Sequence, residues 1–136
     1  MTPIHTPVDA EALQSLSVLG LAHVGDAVYE LLVRTHLARL GGQRVSDQHR
    51  RAIAFVSAPA QTEAMTRILP LLTEEEHKVY HRGRNARVHG CPSGCTIAQY
   101  HTATALEALF GWLWLNGRQQ RVQELFAHIT EETDAS

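Results

Sequence analysis

Apolar residues recur along this chain at the spacing of helices, and nowhere do they alternate with polar ones for long enough to argue a sheet. The stretch 21–40, uninterrupted by proline, predicts a long central helix. At roughly 100° per residue, Leu21, Val24, Val28, Leu31 and Leu32 share one face, and Ala22, Asp26, Tyr29, Val33 and Leu37 form a second stripe. Asp26 is the exception on that second stripe, because desolvating an ionised carboxylate without a partner costs several kcal/mol or more. An arginine, a helix N-terminus or a metal ion would each answer its charge.

The flanking pattern predicts further helices. Residues 1–8, with two prolines, read as an irregular lead-in. Asp9 can cap a short helix carrying Leu13, Leu16 and Leu19 that ends near Gly20, and Gly41-Gly42 stops the long one. Ser46 is the expected cap of the next helix, with Ile53, Phe55 and Val56 among its apolar positions. Another begins at the Ser57-Ala58-Pro59 break and buries Met65, Ile68, Leu69 and Leu72. Thr73 and Glu76 make a capping box for a helix running to about Ala86, and Glu74–Glu76 suit the positive end of its dipole. A loop over 89–96 leads to a helix over 97–115, closed by Asn116-Gly117. A final helix over about 118–129 precedes a polar tail, 130–136, expected to fray. The expectation is an all-α single domain over 1–136, of about six or seven helices, without internal repeats or a linker.

The helix over 97–115 repeats the anomaly of the first. Tyr100, Ala103, Phe110 and Trp114 fall on one face with Thr104 and Gly111 beside them, and Glu107 sits in the middle. Each acid taken alone reads as one half of a buried ion pair. Two of them on separate helices point instead to a shared divalent cation, and carboxylates suit Mg²⁺ better than Zn²⁺. The small residues Ala22, Gly25, Ala103, Thr104 and Gly111 would let backbones approach there. Glu30 shares a side with Asp26 at i,i+4, but a solvated pair with Arg34 explains it equally well.

Composition narrows the class. A chain of 136 residues with 44% hydrophobic and 19% charged residues is long enough to bury a core without disulfides. It has no apolar run approaching the roughly 18 residues of a membrane span, and its start lacks the pattern of a signal peptide, which predicts a cytoplasmic protein. Its two cysteines read as free thiols. Formal net charge is −2, but residues 78–89 hold Lys78, Arg82, Arg84 and Arg87 with no acid, plus His81 and His89. Such a strip suits a polyanion on an otherwise neutral body.

Gly25-Asp26-Ala27-Val28-Tyr29-Glu30 resembles the catalytic-helix motif of the ribonuclease III superfamily. Arg82-Gly83-Arg84-Asn85-Ala86 and Glu107-Ala108-Leu109-Phe110-Gly111 follow in the order found in Mini-ribonuclease III, and the resemblance covers roughly residues 19–115. It implies an all-helical endonuclease domain that works as a homodimer, cleaves double-stranded RNA with Mg²⁺ (Mn²⁺ substituting), and leaves 5′-phosphate and 3′-hydroxyl ends. It also implies trimming of precursor 23S ribosomal RNA. By position, Asp26 is the catalytic acid of the first motif and Glu107 the metal ligand of the second. Full-length ribonuclease III has further acids where Ala22 and Thr104 stand here. Mini-ribonuclease III lacks both, which makes Glu30 a candidate additional ligand.

Arg82, Arg84, Asn85 and Arg87, with Lys78 and His81 behind them, are the candidate RNA contacts; the alternative is a solvated helix end that complements its dipole. Without a separate RNA-binding domain in these residues, binding should be salt-sensitive and depend on substrate shape or on a partner such as a ribosomal protein. His89, Cys91, Cys95 and His101 have the residue types of a zinc site, but two free thiols in a loop is the preferred reading of Cys91 and Cys95. The apolar faces of 21–40 and 97–115 suit either a dimer interface or an internal core. Two rival functions are a non-catalytic RNA-binding or ribosome-assembly protein on the same fold, and an all-α Mg²⁺-dependent nucleotide hydrolase using Glu74–Glu76 with Asp26 or Glu30.

Overall fold

The computed structural model describes residues 1–42, 44–88 and 90–135, with side chains up to residue 131. The described residues form seven α-helices and one short 3-10 turn, with no strand. Helix α1, Ala10–Ser15, is capped by Asp9, whose side chain accepts from the Glu11 amide at 3.3 Å. Helix α2, Val18–Leu40, starts earlier than its apolar pattern predicts. Ser17 holds the N-cap and its Oγ accepts from the Gly20 amide at 3.0 Å, so Gly20 lies inside α2 rather than ending α1. Gly41 stops α2 with φ of +67°.

Helix α3, Val45–Val56, places Arg44 at its N-cap without a side-chain bond. Ser46, the expected cap, lies within the first turn, where its hydroxyl is past the capping position. Ser57 caps α4, Ala58–Ile68, with Pro59 in the first turn, where its missing N–H costs nothing. The 3-10 turn Leu69–Leu71 leads to α5, Glu74–Arg84, opened by the full Thr73/Glu76 capping box and ended at Asn85. A second capping box, Thr96 with Gln99, opens α6, Ile97–Leu115.

Helix α7, Gln119–Ala135, runs on through the segment expected to fray. The reason is tertiary. Ile129 and Thr130 are buried, and Arg67 of α4 donates to the Ile129 carbonyl at 2.6 Å. A polar tail therefore continues as helix because the turn before it is docked.

Helix α6 is the centre of the fold. Ala103–Leu106, Ala108–Gly111 and Leu113 are all buried, as an apolar helix surrounded by others must be. Helix α2 lies along it, α4 and α5 pack on it, and α7 closes against α4 and α6. The Tyr29 ring stands edge-on to Phe110 at 5.3 Å and to Phe126 at 5.8 Å, joining α2, α6 and α7. Burying each such ring contributes roughly 1.5–3 kcal/mol.

At the edge of this core, Glu76 is 1% exposed and receives Arg121 Nε and Nη2, both at 2.9 Å. Arg121 Nη2 also donates to the Leu71 carbonyl at 2.8 Å, so one guanidinium ties α7 to α5 and to the 3-10 turn. Burial lifts the Glu76 carboxyl, but the bonds from Arg121 and Thr73 and the Arg121 charge outweigh it and hold it below the usual carboxylate range. Among the described residues, no helix is long and apolar enough to cross a membrane.

One expectation about α2 needs correction. Ala22, Tyr29, Val33 and Leu37 of the second stripe are buried, but Asp26 is exposed. It stands at the solvent edge of the stripe.

Candidate active site

The site begins with a backbone contact. A Cβ built at Gly25 would overlap the Glu107 carbonyl, and one at Gly111 would overlap the Leu21 carbonyl. Any side chain at either position would wedge α2 and α6 apart. This approach sets the residue after Gly25, Asp26, beside Glu107.

The two carboxyls interact directly. Burial, then the Asp26 charge and a hydrogen bond with Asp26, push the Glu107 carboxyl up to about 8, while a hydrogen bond from Gln61 works against them. Glu107 is half-buried and its neighbours on α6, Leu106 and Ala108, are fully so. Below pH about 8 Glu107 therefore keeps its proton. A pair of like charges that crowd one another in this way calls for a proton or a cation.

Gln61 is the functional candidate that sequence reasoning missed. It is 2% exposed on α4 and lines, with Glu107, Tyr100 and residues 92–95, a cavity of about 330 Å³. Its signal was present: Gln61 shares a helical stripe with Ala64, Met65 and Ile68, all buried, so it is a polar group on an apolar face. An uncharged amide gives less contrast there than a carboxylate.

The donor set is therefore two carboxylates, both oxygen donors, with the Gln61 amide donating to one of them. It fits a hard cation such as Mg²⁺, which takes one or two protein carboxylates and keeps several waters. Among the described residues, no three His, Cys, Asp or Glu side chains are grouped as metal ligands. Glu30 is turned to Arg34, with Oε1 accepting from Nη2 at 2.7 Å on the helix surface, and it is not one of the groups acting on Glu107.

The basic strip lies on the neighbouring helix. Gly83 sits against the Cα of Ala105, so α5 crosses α6 within a turn of Glu107. Lys78, His81 and Arg82 of α5 and Asn85 and Arg87 beyond it are exposed, and Arg84 is half-exposed. Among the described residues, no carboxylate pairs with Lys78, Arg82, Arg84 or Arg87, nor with Arg39, Arg44 or Arg51, whereas Arg34, Arg50, Arg118 and Arg121 are all paired. Four unpaired cations within ten residues and no acid among them leave a positive field for a ligand to neutralise.

Of the expected zinc candidates, Cys91 and Cys95 are half-buried free thiols with sulfurs 3.3 Å apart, and His101 has an Nδ1 without a hydrogen-bond partner. His89 lies outside the described residues.

Comparison with known proteins gives the family. Residues 19–118 match the ribonuclease III domain family. The Mini-ribonuclease 3 of Symbiobacterium thermophilum is 44% identical over 111 residues, covering 82% of this chain and 85% of its own. That of Thermoanaerobacter sp. is 41% identical over 125 residues, covering 90% and 88%. A crystal structure of a Fusobacterium nucleatum protein superimposes with a TM-score of 0.81 at 27% identity, over 89% of this chain and 97% of that one. With its two acids brought together across the Gly25–Gly111 contact, the chain belongs to the ribonuclease III family, alongside the Mini-ribonuclease 3 proteins.

Proposed function

We propose that this chain is a Mg²⁺-dependent endoribonuclease that hydrolyses double-stranded RNA in the cytoplasm, leaving 5′-phosphate and 3′-hydroxyl ends, and that its substrate is the precursor of 23S ribosomal RNA. Family membership supports the endoribonuclease reading. The observation that carries the metal dependence is the crowded pair Asp26 and Glu107, with Glu107 raised to about 8. Two acids held together at this cost suit a cation as their partner.

In this reading Asp26 and Glu107 hold Mg²⁺, and Mn²⁺ can replace it. The bound ion supplies an activated water and offsets charge on the departing oxygen. Gln61 orients Glu107 by donating to its carboxylate, so the ligand presents one rotamer to the ion. Arg82, Arg84 and Arg87, with Lys78 and His81, neutralise phosphates across the duplex. The Asn85 amide, both donor and acceptor, suits a 2′-hydroxyl, which distinguishes RNA from DNA. Glu30 belongs to a surface pair with Arg34 and needs no place among the ligands.

Cutting both strands requires a second site, and a second copy of the chain would supply it. The first stripe of α2 supports this. Leu31 is 61% exposed, and Val24, Ala27, Leu32 and Trp114 line an open apolar groove of about 430 Å³ beside it. A ribosomal protein remains the candidate for presenting the substrate.

The test is cleavage of a perfect RNA duplex by wild-type and Asp26→Asn protein, with and without Mg²⁺. Wild type should cut only with the metal, and Asp26→Asn should bind without cutting. Cleavage that survives the substitution refutes the site. Binding without cleavage by wild type favours a ribosome-assembly protein, and turnover of nucleoside triphosphates favours the nucleotide hydrolase.

A further inference from the structure

The loop before α6 brings two thiols together, and one of them, Cys95, lines the same cavity. Cys91 Sγ lies 3.3 Å from Cys95 Sγ and 3.4 Å from the Cys95 carbonyl, and Cys95 Sγ lies 3.4 Å from the Pro92 carbonyl. Gly94, at φ +93°, supplies the left-handed step that turns the chain back on itself between them. Pro92, Ser93, Gly94 and Cys95 then line one side of the cavity of about 330 Å³ that Gln61 and Glu107 line on the other.

We propose that Cys91 and Cys95 are a modification site, a thiol pair that a peroxide converts to an intramolecular disulfide, tightening the loop at the edge of the Glu107 cavity. A disulfide needs its sulfurs at about 2.0 Å, so the present separation must close by roughly an ångström. The turn already holds the sulfurs face to face, and only four peptide units must adjust.

The chemistry balances with hydrogen peroxide as oxidant. A thiolate of the pair attacks one peroxide oxygen, the O–O bond breaks, a sulfenic acid forms, and the departing hydroxide takes up the proton the thiol gave up, as water. The second thiolate attacks that sulfur, the S–S bond forms, and the departing hydroxide takes up a proton as a second water. Two electrons pass from the sulfurs to the peroxide, and both thiol protons end in water. A thiol reductant reverses the change by exchange.

The effect on cleavage rests on the nuclease reading above, but the modification itself does not. The experiment treats full-length protein with hydrogen peroxide, then follows intact mass, free thiols and duplex cleavage before and after dithiothreitol. The expected result is loss of two hydrogens and of both thiols together in a protein without intermolecular crosslinks, restored by the reductant. Cleavage should fall on oxidation, by up to about a hundredfold if the cavity edge shifts by an ångström. The Cys91→Ser/Cys95→Ser protein should cleave equally in both conditions. Oxygen addition at each sulfur separately, crosslinks between chains, thiols that stay free, or stoichiometric zinc held by the pair would each overturn the proposal. A disulfide that leaves wild-type cleavage unchanged would overturn its link to the cavity. Absence of cleavage in both states would count against the nuclease reading alone, since mass and thiols still decide the modification.

Discussion

The backbone of Gly25 on α2 meets the carbonyl of Glu107 on α6 so closely that a single methyl group at Gly25 would overlap it. Helix spacing, and with it the distance between the two acids, is set here by the absence of a side chain. Gly111 does the same one turn further along, against the Leu21 carbonyl.

Gly25→Ala should therefore damage stability and site together. The atoms in the way are backbone, which cannot rotate aside, so the helices must separate. A loss of about 1–3 kcal/mol or more is expected from overpacking, measured by urea denaturation. Separating α2 from α6 also moves Asp26 from Glu107, so cleavage per folded molecule should fall as well. A variant that matches wild type in both would contradict the close approach.

Mg²⁺ binding should be linked to pH. Glu107 keeps its proton until about 8, and a cation requires the ionised form, so binding must displace that proton below this value. Mg²⁺ affinity should rise with pH up to about 8, by at most roughly tenfold per unit, and level off above. Titration calorimetry in buffers of different ionisation enthalpy would detect the released proton. Gln61→Leu removes a bond that favours the ionised carboxyl, so the plateau should move to higher pH. An unmoved profile would leave Gln61 a packing residue.

Much of this site was legible before folding, and the part that was not has a common cause. Asp26 and Glu107 stood out because each is a charge on an apolar helical stripe, a contrast that sequence displays directly. Gln61 lies on such a stripe too, but a neutral amide can be buried at modest cost and is easily passed over. The bounds of α6 follow from a glycine-rich loop before it and Asn116-Gly117 after it. The start of α2 was misjudged because Gly20 looks like a stop, whereas the Ser17 cap had already begun the helix. The length of α7 depends on Arg67, far away in sequence, bonding the Ile129 carbonyl, which no local pattern announces. Burial of the stripe that carries Asp26 was correctly placed, but its solvent edge is a tertiary fact.

The Glu76–Arg121 pair should govern acid stability. The folded carboxyl sits below its ordinary value, so its contribution is complete above about pH 4.3 and is lost as pH falls through the lower folded value. Arg121→Met leaves a buried charge unpaired and should cost about 3–5 kcal/mol near neutrality. The deficit should shrink on acidification, because a Glu76 without its partner protonates more readily. Chemical denaturation from about pH 3 to 7 would show the two curves converging. Parallel curves would place the cost in lost packing of the arginine stem.

An acid on the exposed stripe of α2 should separate the copies. Leu31 is 61% exposed, so Leu31→Glu should leave the fold intact. In a dimer it would bury a carboxylate in an apolar groove, weakening association by several kcal/mol. Sedimentation equilibrium should then give a monomer, and duplexes should be nicked in one strand more than cut in both. A Leu31→Glu protein that still dimerises would move the interface elsewhere.

The basic strip should read out as a salt slope. Each phosphate neutralised by Lys78, Arg82, Arg84 or Arg87 releases counterions, so the logarithm of affinity should fall steeply with that of salt between about 50 and 200 mM. Replacing one contacting arginine by glutamine should reduce the slope by about 0.7–0.9, with a similar loss on every duplex sequence tested. Arg34→Gln is the matched control, because Arg34 is already neutralised by Glu30 at 2.7 Å. Equal effects from Arg34 and the strip would reduce the interaction to overall charge, and a changed preference among sequences would mean base contacts rather than phosphate contacts.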